Sequence, residues 1–128
     1  MPIVVQYDND HKTVIHYEFV GNWTWGDYGQ AITEAHRLTE KFPHVVDLIL
    51  DFSQSDSFPG YAMTNVATSL GALSRKFRVT LIVSNSPYIE TLIKVYRRIF
   101  SGQDRGIVLV KTLTEARQIL TDIEDHCA

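Results

Sequence analysis

Metal binding and nucleophilic attack require histidine, cysteine, serine and carboxylates at set spacings, and the chain supplies few of these arrangements. Its histidines are His11, His16, His36, His44 and His126, and its one cysteine is Cys127. No His-x-x-x-His or Cys-x-x-Cys spacing occurs, so no metal ligand set is expected. His16 and Glu18 fall on one side of an alternating run, with Asp47 as a candidate neighbour on the following strand. Such an acid–histidine cluster would suit a metal or a proton transfer; the plainer alternative is a solvated polar sheet face. The chain has no Gly-x-Ser-x-Gly elbow, and Cys127 sits beside His126 near the chain end, without surroundings that would activate a thiol. The glycines match neither Gly-x-Gly-x-x-Gly nor the phosphate-binding P-loop. An enzyme would have to draw on Asp51, Asp56, Ser57 or His16 without a recognisable motif, so these residues point away from catalysis and from any cofactor.

Binding is better provided for. Ser57-Phe58-Pro59-Gly60 lies between a strand and a helix, and ligands of open α/β sheets favour the carboxyl ends of strands. Helix amides there would accept an anion, a phosphate or a partner carboxylate; the alternative is a plain proline–glycine turn. The candidate partner- or ligand-binding residues are Asp51, Ser53, Asp56, Ser57, Phe58, Gly60, Tyr61 and Asn85. A pocket lined by Phe58, Tyr61 and Asn85 would favour a small ligand, and a flat surface would count against one. Trp23, Trp25 and Tyr28 form either an interface hot spot or the packed first turn of a helix. Lys94, Arg97 and Arg98, with Arg105 just beyond, offer a basic helix face to an acidic or phosphorylated partner, or simply to solvent.

These residues must be placed by a sheet and its helices. Residues 3–7 and 13–19 are rich in β-formers and are separated by the polar turn Asp8-Asn9-Asp10-His11-Lys12, which predicts a hairpin. Trp25, Tyr28, Ile32, Ala35, Leu38 and Phe42 recur every three or four residues, predicting a helix over 25–42. Thr24 is its N-cap with Asp27 three residues on, and Trp23 and Tyr28 occupy staple positions. A strand over 45–52 follows, then a helix from Pro59-Gly60 to about Lys76 with Ala62, Val66, Leu70 and Leu73 inward. Strand 78–83 leads into Ser86-Pro87, an N-cap and first-turn proline for a helix over 87–100 that buries Ile89, Leu92, Ile93, Tyr96, Ile99 and Phe100 and stops at Gly102. Strand 107–111 precedes Thr112-Leu113-Thr114-Glu115, a capping box, and a helix to about His126 with Leu113, Ala116, Leu120 and Ile123 inward.

The resulting order is ββαβαβαβα. Right-handed crossovers that add each strand on the same side bring the connecting helices to one face. The strands alternate rather than running apolar throughout: Ile15, Tyr17 and Phe19 oppose His16 and Glu18, and Val46, Leu48, Leu50 and Phe52 oppose Asp47 and Asp51. The expected architecture is therefore α/β: a mostly parallel five-stranded sheet with an N-terminal hairpin and four helices mainly on one face, the other face partly open. The 128 residues make one domain.

Composition narrows the class. Hydrophobic residues are 45% and charged residues 21%, as in globular proteins. Twelve basic and fifteen acidic residues give a net charge of -3, against a nucleic-acid binder. No basic-then-apolar leader and no long apolar run is present, so a cytoplasmic protein without membrane association is expected. Residues 1–60 hold nine acidic and three basic side chains, and residues 61–128 hold six and nine. That asymmetry, an exposed strand edge and the half-polar sheet face leave room for a homodimer.

The order of elements and several short motifs resemble the STAS family, the anti-sigma-factor antagonist-like (SpoIIAA-like) domains. Val46-Asp47-Leu48-Ile49-Leu50-Asp51-Phe52-Ser53 resembles that family's third strand, and Arg78-Val79-Thr80-Leu81-Ile82-Val83 its fourth. Ser86-Pro87-Tyr88-Ile89 resembles the opening of its third helix, and Thr112-Leu113-Thr114-Glu115-Ala116 that of its last. The similarity runs over residues 10–125. The family's Asp-Ser-Ser-Gly phosphorylation segment is absent: counted from Asp51, the acceptor position is Tyr61 after Pro59-Gly60, while Asp56-Ser57 are followed by Phe58-Pro59. The resemblance implies a non-catalytic regulatory module that docks a protein partner through loop 53–61, the first turn of the second helix and the basic face of the third. A small-molecule or anion-binding domain at the carboxyl edge of the sheet is the alternative.

Overall fold

In the computed structural model, described residues are 2–41, 44–56, 58–60, 65, 68–70, 72, 76–99 and 106–127, with the backbone alone at 99 and 124–127. The strands are β1 (Ile3–Tyr7), β2 (Val14–Gly21), β3 (Asp47–Ser55), β4 (Thr80–Val83) and β5 (Ile107–Val110). The helices are α1 (Trp25–Thr39), α2 (helical at 65, 68–70, 72 and 76), α3 (Pro87–Ile99) and α4 (Leu113–Cys127). Strand order is β1-β2-β3-β4-β5, with β1 antiparallel to β2 and the other pairs parallel. The expected hairpin, element order and mostly parallel sheet are all present. Phe42, Ala62, Val66, Leu73, Phe100 and Gly102 lie outside the described residues.

Local chemistry explains the boundaries. Thr24 Oγ1 accepts from Asp27 N at 3.0 Å while Thr24 N donates to Asp27 Oδ2 at 2.9 Å, a complete capping box at the start of α1. At α4, Thr112 Oγ1 accepts from Glu115 N at 3.1 Å, but the Glu115 carboxylate turns to Lys111 N at 3.3 Å. Strand β4 starts two residues later than expected because Arg78 turns aside: Nε and Nη2 clamp the buried Asp47 carboxylate at 3.0 and 2.7 Å, and Val79 N donates to the same group. On α1 the buried stripe is Tyr28, Ala31 and Ala35, whereas Ile32 is exposed, so the helix is rotated slightly from the orientation its largest side chains suggest.

Alternation along the strands feeds two cores. Ile15, Tyr17, Leu48, Leu50 and Ile82 point to a core shared with Tyr28, Ala31, Leu70, Leu92 and Tyr96, so α1, α2 and α3 cover this face. Ile49, Leu81 and Val83, with the opposite parity, meet Ala116 and Leu120 of α4. The helices thus lie mainly on one face, as expected, but the second face is less open than the alternating pattern suggested. Unlike the other three, α4 does not connect two neighbouring parallel strands among the described residues, so crossover handedness does not hold it with them. It covers β4 and β5 where Ile49, Leu81 and Val83 supply apolar surface. Towards β1 and β2 the cover is thinner among the described residues: Arg117 reaches Asp8, while Val4 and Val20 are exposed.

Gly106 sets the close approach between β5 and the chain before β4. Its φ is +76°, and a Cβ there would come 2.5 Å from the Arg78 carbonyl oxygen. Gly106→Ala should therefore lower stability by about 1–3 kcal/mol, through left-handed strain and a backbone clash. A reduced urea midpoint with an unchanged m-value would bear this out.

Candidate functional site

Two groupings stand out, on opposite faces of the sheet. The first is aromatic. Trp23, in the N′ staple position, is 5% exposed and packs on Phe19 (ring centroids 4.8 Å), Trp25 (5.0 Å) and Phe58 (5.1 Å). Phe52 stacks on Phe19 at 4.3 Å and lies 5.2 Å from Phe58, which in turn meets Tyr88 at 6.0 Å. The strand ends of β2 and β3 deliver Phe19 and Phe52, the first turn of α1 delivers Trp25 and Tyr28, and the first turn of α3 delivers Tyr88. Two indole N–H groups fasten the end of β3 and the loop after it: Trp23 Nε1 donates to Ser55 Oγ at 3.0 Å, and Trp25 Nε1 to the Gly60 carbonyl at 2.7 Å. Tyr28 pairs its hydroxyl with Ser69 of α2, and burial pushes that phenol up to about 12.

Beneath these rings lies an apolar cavity of about 40 Å³, with Phe19, Trp23, Phe52, Phe58, Ile89 and Leu92 among its walls. The volume exceeds the ~10–15 Å³ one water centre requires, but the walls give water few polar partners. Tyr88, 53% exposed, and the half-buried Phe58 and Trp25 carry the aromatic surface out to solvent.

The second grouping is a polar chain on the α4 face, buried at His16 and Asp51 and open to solvent at Arg117. His16 Nε2 lies 3.0 Å from Asp51 Oδ2, and His16 Nδ1 lies 3.8 Å from Asp8 Oδ1. Asp8 is gripped by Arg117 of α4 through Nε at 3.0 Å and Nη2 at 2.8 Å. Asp51 also accepts from the Ser53 amide at 3.0 Å and from its hydroxyl at 2.6 Å. Between Glu18–Asp51 and Val20–Gln54 the β2–β3 register shifts by one, leaving an extra residue in β3. Asp51 thus receives an amide beside this bulge.

This differs from the expected cluster in two ways. The histidine's partner is Asp51, because β2 and β3 pair His16 with Ile49 and Val14 with Asp47, and Arg78 takes Asp47. His16, Asp47 and Asp51 are also buried rather than solvated. Among the described residues no group of three or more histidines, cysteines or acids is arranged to hold a metal ion.

The remaining candidate residues are spread out. Asp56 is exposed, its amide bonded to the Gly21 carbonyl at 2.9 Å; Ser53 is exposed on the Asp51 side, and Asn85 is exposed after β4. Phe58 and Gly60 join the aromatic grouping, while Ser57 and Tyr61 lie outside the described residues. On α3, Lys94 pairs with Glu90 at 3.0 Å and Arg97 donates to the Ile107 carbonyl at 2.7 Å, so the basic stripe is partly tied down; Arg105 is outside the described residues. The sequence pattern missed Phe19, Phe52 and Tyr88 as members of the aromatic site. Phe52 and Phe58 on either side of the polar stretch after β3 were the available signal.

The fold is SpoIIAA-like, with an aromatic cluster at the carboxyl end of its sheet. The comparison carrying that fold is with the crystal structure of an uncharacterized protein of the DUF3478 family, described as having a SpoIIAA-like fold, from Shewanella loihica PV-4. It aligns over 92% of this chain and 91% of its own, with a TM-score of 0.64 at 15% identity. No protein-family model matches the chain, and no curated protein matches it in sequence. Among the described residues no helix is long and apolar enough to cross a membrane.

Two outcomes test the groupings. Trp23→Ala should cost about 3–5 kcal/mol as a buried aromatic is lost, measured by chemical denaturation. Burial alone would raise the Asp51 carboxyl, but the Ser53 hydroxyl and amide and the His16 ring outweigh it and hold it below its ordinary value. A carboxyl depressed on folding contributes stability above its unfolded pKa, near 4, and loses it as pH falls through the folded value. Asp51→Asn should therefore be less stable than the parent near neutrality and show a flatter acid limb below about pH 4 in urea midpoints.

Proposed function

We propose that this chain is a non-catalytic regulatory module that binds an apolar side chain of a protein partner at the aromatic end of its sheet. The observation that supports this most is the aromatic rim of Trp25, Phe58 and Tyr88 over an apolar cavity, since tryptophan and tyrosine anchors dominate interface energies. The titratable chain through His16 and Asp51 runs on the opposite face, so it serves the scaffold and does not reach the cavity. Regulation would then come from competition: docking here draws a partner out of another complex. A free apolar ligand is the second reading, favoured by the cavity's lining, in which, among the described residues, Ser69, the indoles and the Tyr28 hydroxyl are the polar groups and no carboxylate or cation appears.

Affinity capture from the native source with mass spectrometry of both proteins and small molecules tests the proposal. A protein retained by the parent and lost by about tenfold or more with Tyr88→Ala, while that variant keeps its melting temperature, is the expected result. A co-purified apolar small molecule displaced by Phe58→Ala would favour the second reading. Partners retained equally by both variants would overturn the site.

A further inference from the structure

The aromatic end of the sheet is delivered by stretches of chain that contain no lysine or arginine: residues 13–36, 42–74 and 79–93. They supply the end of β2 with the start of α1, the end of β3 with the loop after it, and the end of β4 with the start of α3. Carboxylates do occur at this end, and most are engaged. Asp27 closes the α1 capping box, Glu90 holds Lys94 at 3.0 Å, and Asp51 is buried against His16 on the opposite face. Asp56 differs. It is exposed, and among the described residues its carboxylate has no hydrogen-bond or ion-pair partner. Its backbone is pinned: the Asp56 amide donates to the Gly21 carbonyl at 2.9 Å, and Ser55 before it accepts from the Trp23 indole at 3.0 Å. Gly21 shares the parity of Tyr17 and Phe19, and a Cβ there would lie 3.7 Å from Asp56 Oδ2. The carboxylate therefore stands on the aromatic side of the sheet, close in sequence to the rim residue Phe58.

We propose that Asp56 is the charged part of the docking surface, and that it selects a protein segment carrying lysine or arginine beside its apolar anchor. This rests on the docking of an apolar side chain at the aromatic end and adds the sign of that anchor's neighbour. A basic neighbour gives the Asp56 carboxylate the counter-charge that these stretches of the chain do not supply. An acidic neighbour would meet like charge with no cation between them. The pair forms at the rim, in water, so it sorts partners more than it adds affinity.

Titration of the Trp23 and Trp25 indole N–H signals by NMR with capped peptides Gly-Lys-Phe-Lys-Gly, Gly-Gln-Phe-Gln-Gly and Gly-Glu-Phe-Glu-Gly tests the sign. The lysine peptide should bind about fivefold tighter than the glutamate peptide at low salt, with the glutamine peptide between them, and the gap should close by about 0.5 M salt. Asp56→Asn keeps the backbone bond to Gly21, so it should hold its melting temperature and bind all three peptides alike. Asp56→Lys should reverse the order. Equal affinity of the parent for all three peptides, or a gap that survives in Asp56→Asn, would overturn the role of Asp56 and leave the apolar anchor standing. Indole signals that move with none of the peptides, or as far with Gly-Lys-Ala-Lys-Gly, would overturn the anchor and the charge selection together.

Discussion

The register between β2 and β3 is the constraint on which the rest of the molecule hangs. Ile15 stands beside Leu48 and Tyr17 beside Leu50. Side chains alternate with a period of two, so a slip of one residue would send Tyr17 and Phe19 to the α4 face and drive His16 and Glu18 into the larger core. Both groupings follow from the same pairing. It brings Phe19 and Phe52 into stacking at the strand ends, and it sets His16 within reach of Asp51 on the reverse side.

Much of this was legible in the sequence. Periodicities of two and of three to four, together with Thr24, Ser86-Pro87 and Thr112, located the elements and the hairpin, because these signals are local. Register was not legible. The residues between β2 and β3 carry no information about which carboxylate will stand beside His16, so the pattern pointed to Asp47 where the pairing brings Asp51. The placement of α4 was open for a similar reason: Ile49, Leu81 and Val83 read as strand interior whether or not a helix covers them. Trp23 and Tyr28 were recognisable as staple positions, but their continuation into Phe52, Phe58 and Tyr88 depends on three elements meeting in space.

The aromatic end combines packing and exposure in one continuous surface. Trp23 is deep and Tyr88 is half in water, with Phe52 and Phe58 between them. Inner rings of such a cluster hold the fold, and outer rings keep unspent contact area. The indole of Trp25, bonded to the Gly60 backbone, ties the loop to the same surface. Tyrosine and tryptophan suit this duty because each has an apolar body and one polar atom that needs a partner.

The link between Asp8 and Arg117 joins positions 109 residues apart in sequence. During synthesis the hairpin emerges before α4, with the His16 imidazole and an Asp8 carboxylate whose covering guanidinium has not yet been made. The hairpin therefore reaches its final electrostatic environment only after the ribosome has delivered α4, a contact that carries a large loop-closure cost and joins early and late segments of the fold.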